Sequence, residues 1–287
     1  MHRNHQYSQS PRMTAHKPLW ISAAFIISIG GLVTSVHAEP AKATDVPAPA
    51  ALVAAYPDAI EKIDGGDLVW RDGARMTLDD GRKVKTHDEW LADPDIEDML
   101  HQPYPVAGTG LAVPAQDSDP GRARNAAFFD KMYGDCRKGE VKAKLETITW
   151  LPASARQKLQ VTSVNGAAKR LEAISRELEN LPSRFHKFLA PAGGTYNCRV
   201  IAGTDRTSAH GWGIAIDIAV AQSDYWRWAP GGGKASGKIA YRNRIPLEIV
   251  EIFERHGFIW GGRWYHYDTM HFEYRPELLP PLAPLPR

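Results

Sequence analysis

Ser208-Ala-His-Gly-Trp-Gly-Ile-Ala-Ile-Asp217 places an imidazole and a carboxylate seven residues apart, the carboxylate inside the apolar run Ile214-Ala-Ile-Asp-Ile-Ala-Val220. A carboxylate in such a run faces a steep desolvation cost unless it is paired or bound to a metal. Read as a strand, the run puts Asp217 on one face with Ala215 and Ala219, small residues that leave room above them. Gly211 and Gly213 permit a close turn that brings His210 in from the loop before the strand. Taken alone, an Asp–Arg pair and a turn-capping His explain this segment equally well. A second segment, Asp268-Thr-Met-His-Phe-Glu273, tips the balance, because it supplies another imidazole, His271, and another carboxylate, Asp268. Three protein ligands and a carboxylate that handles the proton of a bound water are the set a catalytic zinc needs. Calcium and magnesium favour all-oxygen shells and suit this mixed set less well. His266 competes with His271 as a ligand, although its place between Tyr265 and Tyr267 suits a cleft-lining or substrate-binding role better. His256, before Gly257 at a helix end, and His186 read as ordinary surface or dipole-matched residues.

The elements around these segments give an α+β class: a small antiparallel sheet with flanking helices holding one zinc site, preceded by an irregular N-terminal extension. A short helix is expected through Phe128, Phe129 and Met132, with strands over 145–151 and 159–164. Asn165 can cap a helix whose Ala168, Leu171, Ile174, Leu178 and Leu181 recur at three- and four-residue spacing. A second helix has Pro246 at its first turn, an apolar face of Leu247, Val250 and Phe253 with Ile249 beside it, and Gly257 as its stop. The run 214–220 is suited to a central strand, and 270–274 to a short one. Alternation over 67–85 around Arg71-Asp72-Gly73 and Asp79-Asp80-Gly81 predicts one or two hairpins. Five prolines between residues 93 and 121 mark an irregular wrapping segment.

The whole chain of 287 residues carries 35 basic and 33 acidic side chains with no long single-sign block. Nucleic-acid binding, which gathers basic residues into a patch, is therefore not expected. Arg12, His16 and Lys17 precede an apolar run from Leu19 to Val36 that ends in Val36-His37-Ala38, a signal-peptide arrangement. The expectation is export to a periplasm or cell wall without stable membrane insertion after cleavage, an uncleaved anchor being the alternative. The Ala- and Pro-rich composition of 39–55 reads as a solvated linker, with order beginning near Tyr56. The organisation is then a signal peptide over 1–38, the linker over 39–55, an N-terminal extension of unassigned role over 56–124, the metal-binding domain over 125–279 and a Pro-rich tail over 280–287. The two cysteines, Cys136 and Cys198, either pair, as an exported protein permits, or stay as buried thiols.

The pattern Ser208-x-His210-x-x-Gly213-x-Ala215-x-Asp217, joined to Asp268-x-x-His271-Phe-Glu273 and preceded by Gly257-Phe-Ile-Trp-Gly-Gly-Arg-Trp264, resembles the zinc D-alanyl-D-alanine carboxypeptidase family. That family also includes L-alanyl-D-glutamate endopeptidases of peptidoglycan. The resemblance extends loosely over residues 141–278 and covers nothing before 125. It implies zinc as the cofactor, His210, Asp217 and His271 as its ligands, and Asp268 as the general base. The Asp at 268 followed by His-Phe-Glu looks most like the endopeptidase branch, whereas the strict carboxypeptidase branch more often has Glu there. It also implies an Arg upstream of the first ligand to stabilise the oxyanion: Arg199 by position, with Arg206 second, although the usual glycine-tyrosine-arginine pattern is absent. Ser208 is either a loop-holding or substrate residue or a simple turn former. Trp212, Trp260, Trp264 and Tyr267 crowd the motifs as groove walls or as core. The implied activity is hydrolysis of a bond in peptidoglycan stem peptides, of D,D-carboxypeptidase or L-Ala-D-Glu endopeptidase type. The implied partner is the peptide substrate. A non-catalytic, metal-containing wall-binding protein of the same fold is the alternative.

Overall fold

Among the described residues, three small antiparallel sheets, one of them at the site, take the place of a single larger sheet. The computed structural model describes residues 48–106, 108, 110–229 and 239–284, and the signal peptide expected over 1–38 lies outside the described residues. The helices are α1 (Ala50–Ala55), α2 (His87–Ala92), α3 (Ala126–Tyr133), α4 (Ala167–Glu179) and α5 (Leu247–Arg255). The strands are β1 (Ile60–Asp64), β2 (Asp67–Trp70), β3 (Arg75–Thr77), β4 (Leu145–Trp150), β5 (Gln157–Thr162), β6 (Ala215–Asp217), β7 (Phe258–Trp260) and β8 (His271–Tyr274). They form the antiparallel sheets β1-β2-β3, β4-β5 and β6-β8-β7. The α+β class holds.

Several expectations need correction. Order begins before Tyr56: within the stretch read as a linker, α1 forms and buries Leu52, because alanine is the best helix former and Leu52 has a core to enter. The extension 56–124 is less irregular than expected. Gly65 and Gly66, both at positive φ, make the two-residue turn between β1 and β2, where such backbones match strand twist. The turn at Arg71-Asp72-Gly73 joins β2 to β3 as expected, whereas Asp79-Asp80-Gly81 makes no hairpin. Its carboxylates turn to cations instead, Asp80 to Lys85 at 2.9 Å and to Arg82 at 2.7 Å.

Asn165 does not cap α4. It sits at φ 52°, Gly166 takes the cap position, and the Asn165 amide donates to the Ala55 carbonyl 2.9 Å away. The helix still buries Ala168, Leu171, Ile174 and Leu178 as its spacing predicts. The run 214–220 is not a central strand. β6 is three residues long at the edge of its sheet, and Ala219 at φ 15° turns the chain into a 3-10 turn at Val220. The central strand is β8.

The stretches on either side of residue 125 share one core. Leu52, Tyr56, Ile60, Leu68 and Trp70 pack in a single cluster with Phe128, Phe129, Leu171, Phe253 and Phe272, and the described residues fall in one compact unit. Buried polar ties fasten the two stretches. Tyr56 donates to Glu277 at 2.7 Å, Tyr104 donates to Glu254 at 2.7 Å, and the Trp264 indole donates to the Pro120 carbonyl at 2.7 Å. At the other end, Leu282 of the Pro-rich tail packs against the core.

Candidate metal centre

Alternation along β8 decides what each of its residues does. Phe272 and Tyr274 point into the core, where Phe272 stacks on Phe253 of α5 with ring centroids 3.9 Å apart. His271 and Glu273 point to the opposite face. Register then sets the pairs: His271 lies directly across from Asp217, and Glu273 across from Ala215. The small Ala215 leaves space for the Glu273 carboxylate, and the cross-strand pairing brings the His271 ring against Asp217. His210 arrives from the 3-10 turn Ala209–Trp212, closed by Gly213 in the left-handed region at φ +69°. A side chain at Gly211 would strike Thr207 at 2.8 Å, so that turn is tight against its neighbours.

Three donor groups converge as the sequence predicts. His210, Asp217 and His271 each offer a ligand atom within 4.8 Å of the others. The Oδ1 atom of Asp217 lies 3.2 Å from His210 Nε2 and 3.0 Å from His271 Nδ1. The outer nitrogens are fixed from behind: His210 Nδ1 donates to the Thr195 carbonyl at 2.5 Å, and His271 Nε2 faces Glu273 at 3.2 Å. Each outer nitrogen is anchored by an oxygen acceptor, so the two inner nitrogens and the Asp217 oxygen turn to one point, where a cation would take the place of the protons between them. Metal-binding histidines are oriented in this way, by a carbonyl or carboxylate on the second ring nitrogen. The donor set of two imidazoles and one carboxylate fits zinc with a position left open.

Charge follows the same geometry. Burial alone would raise the Asp217 carboxyl, but His210 and His271 outweigh it and hold it far below the usual range. Burial alone would lower the His271 imidazole, but its bonds to Asp217 and Glu273 lift it to about 9. Glu273 is itself fully buried and is kept ionised, against the cost of burial, by Arg124, His271 and Arg275. Arg124 reaches both its oxygens, from Nε at 3.1 Å each, and Arg275 Nη1 donates at 3.0 Å.

Asp268 differs from these. It is half-buried, its enclosed Oδ1 has no hydrogen-bond partner, and desolvation pushes it up to about 6, with Asp217 adding to the rise. Its backbone is held by the Asp268 N–H donating to the Gly261 carbonyl at 3.0 Å. Any side chain at Gly261 would meet the Asp268 carbonyl at 2.5 Å, so only glycine lets the two strands of the turn approach. A carboxylate with an unengaged oxygen and a raised pKa is suited to taking and returning a proton near neutrality.

The site opens into a cleft of about 300 Å³ lined by Ser208, His210, Asp217, Asp268, His271, Arg122, Arg124, Arg199, Trp264, His266 and the aromatics Tyr225, Trp226 and Trp228 among others. Arg199 reaches the cleft from an exposed position at its rim. Arg206 turns away, its Nη1 donating to the Leu91 carbonyl at 2.8 Å. His266 is not a member of the His210–Asp217–His271 group. Its Nδ1 meets the buried Asp119 carboxylate at 2.6 Å, and its ring stacks on His87. His256 pairs with Glu177 at 3.0 Å, and His186 is exposed. Of the four aromatics that crowd the motifs, Trp212, Trp260 and Tyr267 are core and Trp264 lines the cleft. Cys136 and Cys198 are paired, which ties the segment carrying Arg199 to the 3-10 turn after α3.

Residues 202–274 match the D-alanyl-D-alanine carboxypeptidase family model. The resemblance carried by the two motifs is thereby shown for the segment that holds all four of His210, Asp217, Asp268 and His271. Arg199 lies just outside that peptidase-family segment, and Asp119, Arg122 and Arg124 lie well outside it. No curated protein and no solved structure matches the chain. Sequence reasoning missed Arg122, Arg124 and Asp119. Arg124 meets Glu273 across 149 positions, and no local pattern signals a pairing over that distance.

Proposed function

We propose that this protein is a zinc-dependent peptidase that hydrolyses a bond in the stem peptides of peptidoglycan, exported to a periplasm or cell wall. The observation that carries the reading is the convergence of His210 Nε2 and His271 Nδ1 on one Asp217 oxygen, each ring anchored from behind. The match of residues 202–274 to a peptidase family supports it. The disulfide suits an oxidising compartment, and among the described residues no helix is long and apolar enough to cross a membrane.

When bound, zinc would polarise the scissile carbonyl and lower the pKa of a water to about 7. Asp268 takes the proton from the attacking water on its unengaged Oδ1 and passes it to the leaving nitrogen. Arg199, by position, offers its guanidinium to the oxygen of the attacked carbonyl. Trp264 and Trp226 exclude water from the cleft walls. A wall-binding protein without turnover would have no need of Asp268 as it stands here, with an enclosed oxygen that no donor engages.

Elemental analysis of the purified protein tests this reading directly. The expected result is about one zinc per chain, lost in His210→Ala and retained in Asp268→Asn, with peptide cleavage slowed about a hundredfold or more in both variants. A wild-type protein that binds no zinc overturns it.

A further inference from the structure

The cleft receives a wall from a part of the chain that the family match does not reach. Arg122 lines it together with the zinc-site residues, although it lies 80 positions before the matched segment begins. Its side chain is only 16% exposed. Its guanidinium carbon lies 5.7 Å from the centre of the Trp264 ring, and Nη1 donates to Asp119 at 2.9 Å. Asp119 is itself completely buried and fixed by His266. Arg122 is thus held on an aromatic face by a carboxylate that takes one of its five N–H donors.

The other guanidiniums near the cleft are committed elsewhere or poorly fixed. Arg124 holds Glu273, Arg206 turns to Leu91, and Arg199 is exposed with only a 3.4 Å contact to the Val200 carbonyl. Arg122 and Asp268, the group that passes a proton to the leaving nitrogen, line the same cleft. In any peptide, the α-carboxyl carbon of the residue bearing that nitrogen lies about 2.5 Å from it, two bonds away. An Arg on the wall of the cleft that holds the proton donor can therefore meet a carboxylate at that position, where a planar fork gives strong, directional bonds.

Resting on the peptidase reading above, we propose that Arg122 is a specificity-determining residue that binds a free α-carboxylate on the residue carrying the leaving nitrogen. Two positions of a stem peptide offer that group: the terminal D-Ala, and a γ-linked D-Glu, whose α-carboxylate stays free. Both present the same chemistry to Arg122, and the bond that is cut tells them apart.

The test uses the full chain loaded with zinc and three peptides: L-Ala-γ-D-Glu-L-Lys-D-Ala-D-Ala, the same peptide with the D-Glu α-carboxylate amidated, and the same peptide with the terminal carboxylate amidated. Mass analysis of the first identifies the bond. For the wild type, amidation next to that bond should lower kcat/KM by about a hundredfold, while amidation at the other position should have little effect. Arg122→Ala should bring this acid-to-amide ratio down toward 1, and Arg122→Lys, which keeps a cation on Asp119, should restore part of it. The proposal is overturned if the wild type cuts acid and amide alike. It is overturned equally if Arg122→Ala slows both while the ratio stays near a hundred, the signature of a purely structural residue. If the zinc-loaded wild type cuts none of the three, the peptidase reading itself falls, and the assignment of Arg122 with it.

Discussion

Glu273 stands two residues beyond His271 on the same face of β8 and is fully buried. Its charge survives there because Arg124 and Arg275 both donate to it, and its role is to hold the His271 ring. Removing such an outer partner typically costs ten- to a hundredfold in metal affinity. Glu273→Gln, which keeps the shape and loses the charge, should therefore weaken zinc binding by about that factor in a chelator competition, and unaltered affinity would exclude the orienting role. Asp119 is the second buried carboxylate of the site. Burial would raise its carboxyl, but Arg122, His266 and His87 hold it well below the ordinary range. In this depressed case the unfolded chain binds the proton first, so the stabilisation is fully present above about pH 4 and is lost as pH falls from there toward the folded value. Denaturant unfolding between pH 3 and 6 should show a shallower loss of stability for Asp119→Asn than for the wild type. Parallel pH curves would show that the Asp119 cluster does not contribute.

The three-residue strand β6 and the turn before β8 are the elements that set the distances of the site. Gly261 is packed against the Asp268 carbonyl so closely that a methyl group there must displace it. Gly261→Ala should shift Asp268 and lower kcat at least tenfold while zinc content stays near one per chain, because His271 lies beyond the displaced turn, on β8. Equal loss of metal and turnover would mean that the whole sheet had moved. At this scale much of the site was legible beforehand. The motif spacing placed His210, Asp217, Asp268 and His271 around one cleft, since alternation along two strands and a glycine-rich turn are written locally. The position of β6 was not legible, because an apolar run looks the same whether its far side meets another strand or, as here, a single bridge to Gly194. The cap of α4 was misread for a related reason. Asn165 is drawn to the Ala55 carbonyl, a partner 110 positions away.

Across the whole molecule, residues 48–124 supply walls and supports to the site rather than a separate appendage. Arg275 donates to the Gly121 carbonyl at 2.6 Å, Trp264 to Pro120, and Arg124 to Glu273. The sequence had no means of announcing these ties, because charged and proline-rich stretches carry no periodic signal and their partners come from the far end of the chain. A chain beginning at Asn125 would uncover Trp260, Trp264 and Phe128 and leave Glu273 without one of its two cations, so it should be insoluble or unable to hold zinc. Soluble, zinc-loaded and active material from that truncation would show that the N-terminal part is dispensable. The most direct test of the account is mass analysis of purified muropeptides treated with the zinc-loaded protein and, alongside it, zinc-loaded Asp268→Asn. The expected result is one new product pair from the wild type, from loss of a terminal D-Ala or a cut after L-Ala, with Asp268→Asn slower by a hundredfold or more. Intact muropeptides after treatment with the zinc-loaded wild type, or equal cleavage by the variant, would contradict it.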